Sequence, residues 1–264
     1  MIGNGDAGAR RRAPLWHALA LDEARGVPMV AVVGGGGKTS LVYALAREVA
    51  ALGGRALVTG TTRFTPAPHG WPMPPLIETR PGEVASMVVR ASRGPGVLVV
   101  TGIEPQPTGR LAPVAPEEIA TLAGIAGVDA VLVEADGSRA RAFKAPGDHE
   151  PVVPETATHV VVVVGASVLG HPLAEAHVHR PERVRAIVPG LPADAVCDAA
   201  LIARVLAHEE GGRKHIGGCP FAVVVNQADT HAEAARVIAE AVRGAGVLRV
   251  LVTALRDAER PVRG

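Results

Sequence analysis

An α/β fold of the P-loop NTPase type, with a mostly parallel sheet of about seven strands and helices on both faces, is predicted from three observations. Short apolar runs at residues 29–33, 97–101, 128–133, 158–164 and 221–225 recur between helical patterns, the rhythm of repeated strand–helix units. These runs are continuously apolar rather than alternating, as parallel strands covered on both faces must be. The first run leads straight into Gly34-Gly35-Gly36-Gly37-Lys38-Thr39-Ser40 and then into a helix ending near Leu52. The expected organisation is an N-terminal arm with a short helix over 1–27, one α/β domain over 28–255, and a tail over 256–264.

Residues 1–12 read as disordered, and the apolar spacing from Leu15 to Arg25 predicts a short helix that Gly26 and Pro28 end. The glycine loop then reads as a phosphate cradle. Gly34, Gly35, Gly36 and Gly37 permit positive φ and close approach of backbone N–H groups to phosphate, and the following helix N-terminus favours the same anion. Lys38 reads as a point charge for the outer phosphates, with no role in the core. Thr39 is the expected Mg²⁺ ligand and Ser40 the fallback. The spacing is not the full G-x-x-x-x-G-K-[ST], because Val32 stands five before Gly37. What remains, G-x-x-G-K-T from Gly34, is similar to the ATP loop of the Mur-ligase group.

A second strand, 55–59, runs into Thr61 and Thr62 at the sheet's carboxyl edge, where parallel sheets bind ligands, so Thr59, Thr61 and Thr62 are candidates for Mg²⁺ or phosphate contacts. Residues 66–75 carry five prolines and read as an exposed loop. A helix is expected over 82–93, a strand over 97–101 and a helix over 117–126. The strand at 128–133 ends in Glu134-Ala135-Asp136, a Walker-B-like acidic edge. Glu134, ahead of Asp136, is expected to hold Mg²⁺ or orient the nucleophile.

The loop 138–154 offers Arg139, Arg141, Lys144 and His149 to phosphates, with His149 and Glu150 read as surface residues rather than a metal pair. His171, His177 and His179, spaced by six and two, read as no dedicated metal site, and His179-Arg180-Pro181 as a helix start. An amphipathic helix is expected over 194–209 and a strand over 221–225. Asn226-Gln227-Ala228-Asp229 then resembles the N-K-x-D guanine-reading loop of GTPases with Gln in place of Lys. A seventh strand, 248–252, leads to Thr253-Ala254-Leu255, which is similar to the S-A-K/L loop behind the base. GTP is therefore preferred over ATP as the bound nucleotide.

Composition excludes other classes. Lys and Arg total 27 against 26 Asp and Glu, and the chain has only two tryptophans, one tyrosine and three phenylalanines. It offers neither the field nor the stacking surfaces for nucleic acid. Despite a mean hydropathy of +0.24, no apolar run nears membrane-span length, so no membrane partner is expected. Cys197 and Cys219, without a C-x-x-C, imply reduced thiols and a cytoplasmic protein.

The ordered set of the glycine loop, the threonines at 59–62, Glu134 to Ser138, Lys144-Ala145-Pro146, His149 to Pro154 and Val178 to Glu182 resembles the YqeC-type family. That resemblance implies an accessory protein for selenium-dependent molybdenum hydroxylases, within selenium cofactor biosynthesis. Its partners would be a nucleotide and the hydroxylase or its selenium-containing cofactor. Gly60 and Arg63 depart from the family's run of threonines followed by Lys. The expected activity is NTP hydrolysis in that maturation; a nucleotide-gated cofactor chaperone without turnover and a Mur-like ligase or kinase remain open.

Overall fold

A computed structural model describes residues 14–68, 70–91, 94–103 and 109–255, and the backbone of 262–263. The reading of residues 1–12 as disordered lies outside the described residues. The strands are β1 (Met29–Gly34), β2 (Arg55–Gly60), β3 (Leu76–Thr79), β4 (Gly96–Gly102), β5 (Ala130–Glu134), β6 (Phe143–Lys144), β7 (His159–Gly165), β8 (Val178–His179), β9 (Phe221–Asn226), β10 (Val250–Thr253) and β11 (Val262–Arg263). The helices are α1 (Pro14–Ala18), α2 (Lys38–Ala51), α3 (Val84–Ala91), α4 (Pro116–Ile119), α5 (Pro181–Ile187), α6 (Ala199–Ala207) and α7 (Ala232–Gly244).

Nine strands form one sheet in the order β11-β10-β9-β7-β1-β5-β2-β4-β3, with every pairing parallel except β11 on β10. The fold is α/β with a mostly parallel central sheet. Side chains of successive residues point to opposite faces, and both faces are covered. Met29, Ala31 and Val33 of β1 pack in one core with Val160, Val162 and Val164 of β7 and with α3, α6 and α7. Val30 and Val32 pack in the other with Leu41, Leu45 and Val49 of α2 and with α1. The Glu48 carboxylate on α2 accepts from the Leu15 and Trp16 amides at 3.0 and 2.9 Å and so ties α1 down. Among the described residues no helix is long and apolar enough to cross a membrane.

The strand count is nine in the main sheet rather than seven. β3 is a four-residue edge strand with exposed Leu76 and Glu78, too short to read after a proline run. β11 falls in the segment read as a tail. The helix expected over 117–126 is only α4 and a short 3-10 turn at Leu122–Gly124, because Gly124 and Gly127 do not hold a helix; Gly127 has φ 80. The helix expected from Asp194 starts instead at Ala199, capped by Asp198, whose carboxylate accepts from the Leu201 amide at 2.7 Å. Helix α7 adds to the expected elements, and its buried Ala235, Ile238, Ala239 and Val242 have helical spacing.

Candidate functional site

After β1 the chain crosses to β2 on one side of the sheet, while β7, β9 and β10 build the other side. Strand order therefore reverses beside β1, and the carboxyl ends of strands at such a reversal form a crevice. A cleft of about 430 Å³ lies there, lined among others by Gly37, Lys38, Thr39, Glu134, Asn226 and Asp229. Residues from three widely separated stretches of sequence thus meet in one place.

The glycines are needed for two reasons. Gly34, Gly36 and Gly37 have φ of 96, 75 and 138°, where side-chain-bearing residues are strained. All four also lie against neighbouring groups: a Cβ would stand 2.3 Å from the Val163 carbonyl at Gly34, 2.5 Å from the Arg141 carbonyl at Gly35, 2.3 Å from the Gly165 nitrogen at Gly36 and 2.1 Å from the Asn226 amide at Gly37. The Gly35 and Gly36 amides donate to the Val163 and Arg141 carbonyls at 2.8 and 3.0 Å. The start of the loop is therefore pinned to the protein, and the first turn of α2, which no side chain caps, is the part that faces the cleft. Gly36→Ala is expected to destabilise the fold by about 3 kcal/mol or more, because backbone blocks the new methyl group and the residue is left-handed. Denaturant unfolding measures it, and a loss under about 1 kcal/mol would mean that the loop can move aside.

Lys38 is buried, contrary to its reading as a charge without a core role. Its Nζ donates to the Gly34 carbonyl at 2.8 Å and lies 3.3 Å from Asp136 Oδ1 and 4.0 Å from Glu134 Oε1. Asp136 also accepts from the Gly34 amide at 3.1 and 3.0 Å and pairs with Lys144 at 2.9 Å. Lys144 continues to Glu150 at 2.5 Å, and Arg180 holds Glu150 with two hydrogen bonds of 2.6 and 3.0 Å. Burial alone would raise the Glu150 carboxyl, but the Arg180 hydrogen bonds and the Lys144 charge outweigh it and hold it at about 2. Glu150 is therefore not the free surface residue the sequence indicates. It anchors the pairing of β6 with β8.

Glu134 behaves differently. Its Oε2 accepts from the Thr39 hydroxyl at 2.8 Å. Burial pushes its carboxyl up, against the opposing pull of Lys38 and the Thr39 hydrogen bond.

Asn226 joins two loops. Its Nδ2 donates to the Gly36 carbonyl at 2.9 Å, and its Oδ1 accepts from the Thr253 hydroxyl at 3.1 Å and the Leu255 amide at 3.2 Å. Gln227 has a left-handed φ of 75°, and its Oε1 accepts from the Ser167 amide at 3.0 Å. Asp229 Oδ1 is buried and has no hydrogen-bond partner among the described residues. A buried carboxylate oxygen without a donor is uncommon, and this one belongs to a residue that lines the cleft.

A family model described as YqeC protein matches residues 30–182. An Escherichia coli (strain K12) protein described as "Uncharacterized protein YqeC" is 33% identical over 201 residues, covering 75% of each chain. The chain belongs to the YqeC family. The matched stretch holds the glycine loop, Glu134, Asp136, Lys144, Glu150 and Arg180, whereas Asn226 and Asp229 lie beyond it.

The remaining sequence candidates are dispersed. Ser40 lines the cleft, but the Thr61 hydroxyl donates to the Val152 carbonyl at 2.8 Å, and Thr61 lines a different cleft with Arg80 and Glu118. The Thr62 and Thr59 hydroxyls are buried without hydrogen-bond partners among the described residues. The His171 and His177 rings stack at 4.2 Å instead of converging, and no group of three or more metal-binding side chains forms among the described residues. Burial pushes the Cys197 thiol up to about 11 and raises that of Cys219, so neither is poised as a thiolate. Thr65, Arg110 and Ser138, none of them singled out from the sequence, also line the cleft. Their place depends on how loops fold back, which no local pattern encodes.

Proposed function

We propose that this chain binds a purine nucleoside triphosphate with Mg²⁺ and hydrolyses it in the cytoplasm, as an accessory in the maturation of selenium-dependent molybdenum hydroxylases. The observation that carries the nucleotide reading is the cleft itself. It brings the uncapped start of α2, a buried lysine, an acidic strand end and an unpartnered carboxylate oxygen together at the reversal of strand order. The hydroxylase role rests on the family resemblance alone.

The donor set fits Mg²⁺, a hard cation that takes few protein oxygens and leaves its other positions to water and phosphate. Thr39 Oγ1 and Glu134 Oε2, already 2.8 Å apart, would hold it. Bound there, it would neutralise phosphate charge. Asp136 is committed to the Gly34 amide and two lysines, so its part is to position Lys38.

Calorimetric titration with Mg–GTP and Mg–ATP, followed by measurement of phosphate release, tests the proposal, and no binding of either nucleotide would overturn it. Glu134→Gln should leave binding within about threefold and lower turnover by about 10²-fold, since the amide keeps the shape but loses the charge that positions metal or water. Unchanged turnover would remove Glu134 from the chemistry. One observation favours the second reading, a nucleotide-gated holder without turnover: Glu134 Oε2 is already engaged by the Thr39 hydroxyl, an arrangement that serves to hold a metal without activating a water. Phosphate release, with and without a client hydroxylase, separates the two readings.

A further inference from the structure

We infer that Arg139 is a catalytic residue, supplied by the chain itself, that stabilises the charge developing on the terminal phosphoryl group. This rests on the nucleotide reading above and adds a residue to that site. Four cationic side chains stand at or just behind the cleft, and three are committed to protein. Lys38 is held by Gly34 and the two acids, Lys144 by Asp136 and Glu150, and Arg110 donates to the Arg63 carbonyl at 2.5 Å. Arg139 lines the cleft, is exposed, and makes no hydrogen bond or ion pair among the described residues.

Its backbone is unusual as well. Arg139 and Ala140 have φ of 49 and 60°, two consecutive left-handed residues, neither a glycine. They are the central pair of a turn closed by the Arg141 amide on the Ser138 carbonyl at 2.9 Å, a place where Gly, Asn or Asp fits with least strain. The turn is clamped to the glycine loop and to the end of β7: the Gly36 amide donates to the Arg141 carbonyl at 3.0 Å, and the Gly165 amide to the Ala142 carbonyl at 2.8 Å. A strained turn that presents an exposed long cation in the lining of this cleft gains nothing in stability from that choice of residue. Strain retained beside a binding cleft points to function.

The step assigned is hydrolysis. The water oxygen bonds to the terminal phosphorus, and the bond from that phosphorus to the bridging oxygen breaks. The electron pair leaves with the diphosphate, and the water's proton ends on the released phosphate. Arg139 donates its N–H groups to phosphoryl oxygens as their charge shifts toward the leaving group, the role of an arginine finger provided in cis.

The test uses Arg139→Gly, which removes the cation and also relieves the left-handed strain. Turnover is expected to fall by at least about 10²-fold with nucleoside triphosphate affinity within about threefold, while Tm rises by roughly 2 °C. Wild type should bind the Mg–diphosphate more tightly when aluminium fluoride is added, and the variant should lose that gain. Arg139→Lys should recover part of the turnover. A residue with a structural role only would lose stability and activity together. If wild type binds neither GTP nor ATP, the nucleotide reading falls and this assignment with it. If wild type binds and the Arg139→Gly protein matches its turnover and its aluminium fluoride response, the Arg139 assignment alone is overturned.

Discussion

A Lys38→Met protein is expected to fold and to bind Mg–nucleotide at least about 10³-fold more weakly than wild type, a loss of about 4 kcal/mol. Lys38 is buried at the start of α2, where its ammonium is held between the Gly34 carbonyl, Asp136 and Glu134. In that low-dielectric setting a positive charge beside the helix N-terminus is worth far more to a phosphate than the same charge on the surface. Met fills the space of the lysine stem and removes only the charge. Stability should fall too, because Glu134 loses the cation that opposes its burial. Asp136 keeps Lys144 and the Gly34 amide, so the cost should be about 2 kcal/mol, less than for a pair left wholly unpartnered. Denaturant unfolding establishes that the variant is folded, and calorimetry then reads its affinity. Nucleotide affinity equal to wild type in a folded Lys38→Met protein would remove the phosphate-cradle proposal.

The strand, glycine loop and helix from Met29 to Ala51 were legible because each is encoded locally: a continuous apolar run, glycines, then apolar residues at helical spacing. The acidic end of β5 and the Asn226 loop were legible for the same reason, as polar residues directly after buried strands. That they share a cleft follows from parallel strands presenting their carboxyl ends on one edge. The Lys144–Glu150–Arg180 network was not legible. Glu150 and Arg180 are 30 residues apart, and their meeting depends on two-residue strands β6 and β8 whose pairing has no sequence signature. The burial of Lys38 is not legible for a related reason, since the acids that enclose it come from the end of β5 and the loop just after it, about 100 residues further on. The strain at Arg139 leaves no mark either, because Ser-Arg-Ala-Arg contains none of the residues that announce a left-handed turn. Helix α7 is the opposite case: the helical spacing of Ala235, Ile238, Ala239 and Val242 is plain in the sequence.

Asp229→Asn is expected to turn a preference for GTP into one for xanthosine triphosphate. The Asp229 Oδ1 atom is buried in the structure with no donor, while Asn226 beside it is fully used in tying the glycine loop to residues 253–255. Guanine presents N1–H and an exocyclic amine, two donors on one edge that a carboxylate accepts together, and adenine lacks that pair. If Asp229 reads that edge, wild type should prefer GTP over ATP by more than tenfold, or about 1.4 kcal/mol. An asparagine at 229 offers one donor and one acceptor. It leaves a guanine donor unpaired but suits xanthine, whose C2 carbonyl accepts from the new amide, so the GTP–XTP preference should swing by at least about 10² between the two proteins. Gln227, held on the Ser167 amide, is positioned by protein in both and should not compensate. Titration of both proteins with GTP, ATP and XTP reads the result directly. Equal or tighter binding of ATP by wild type would remove guanine as the base, and the phosphate half of the site, built on Lys38, Thr39 and Glu134, would stand without it.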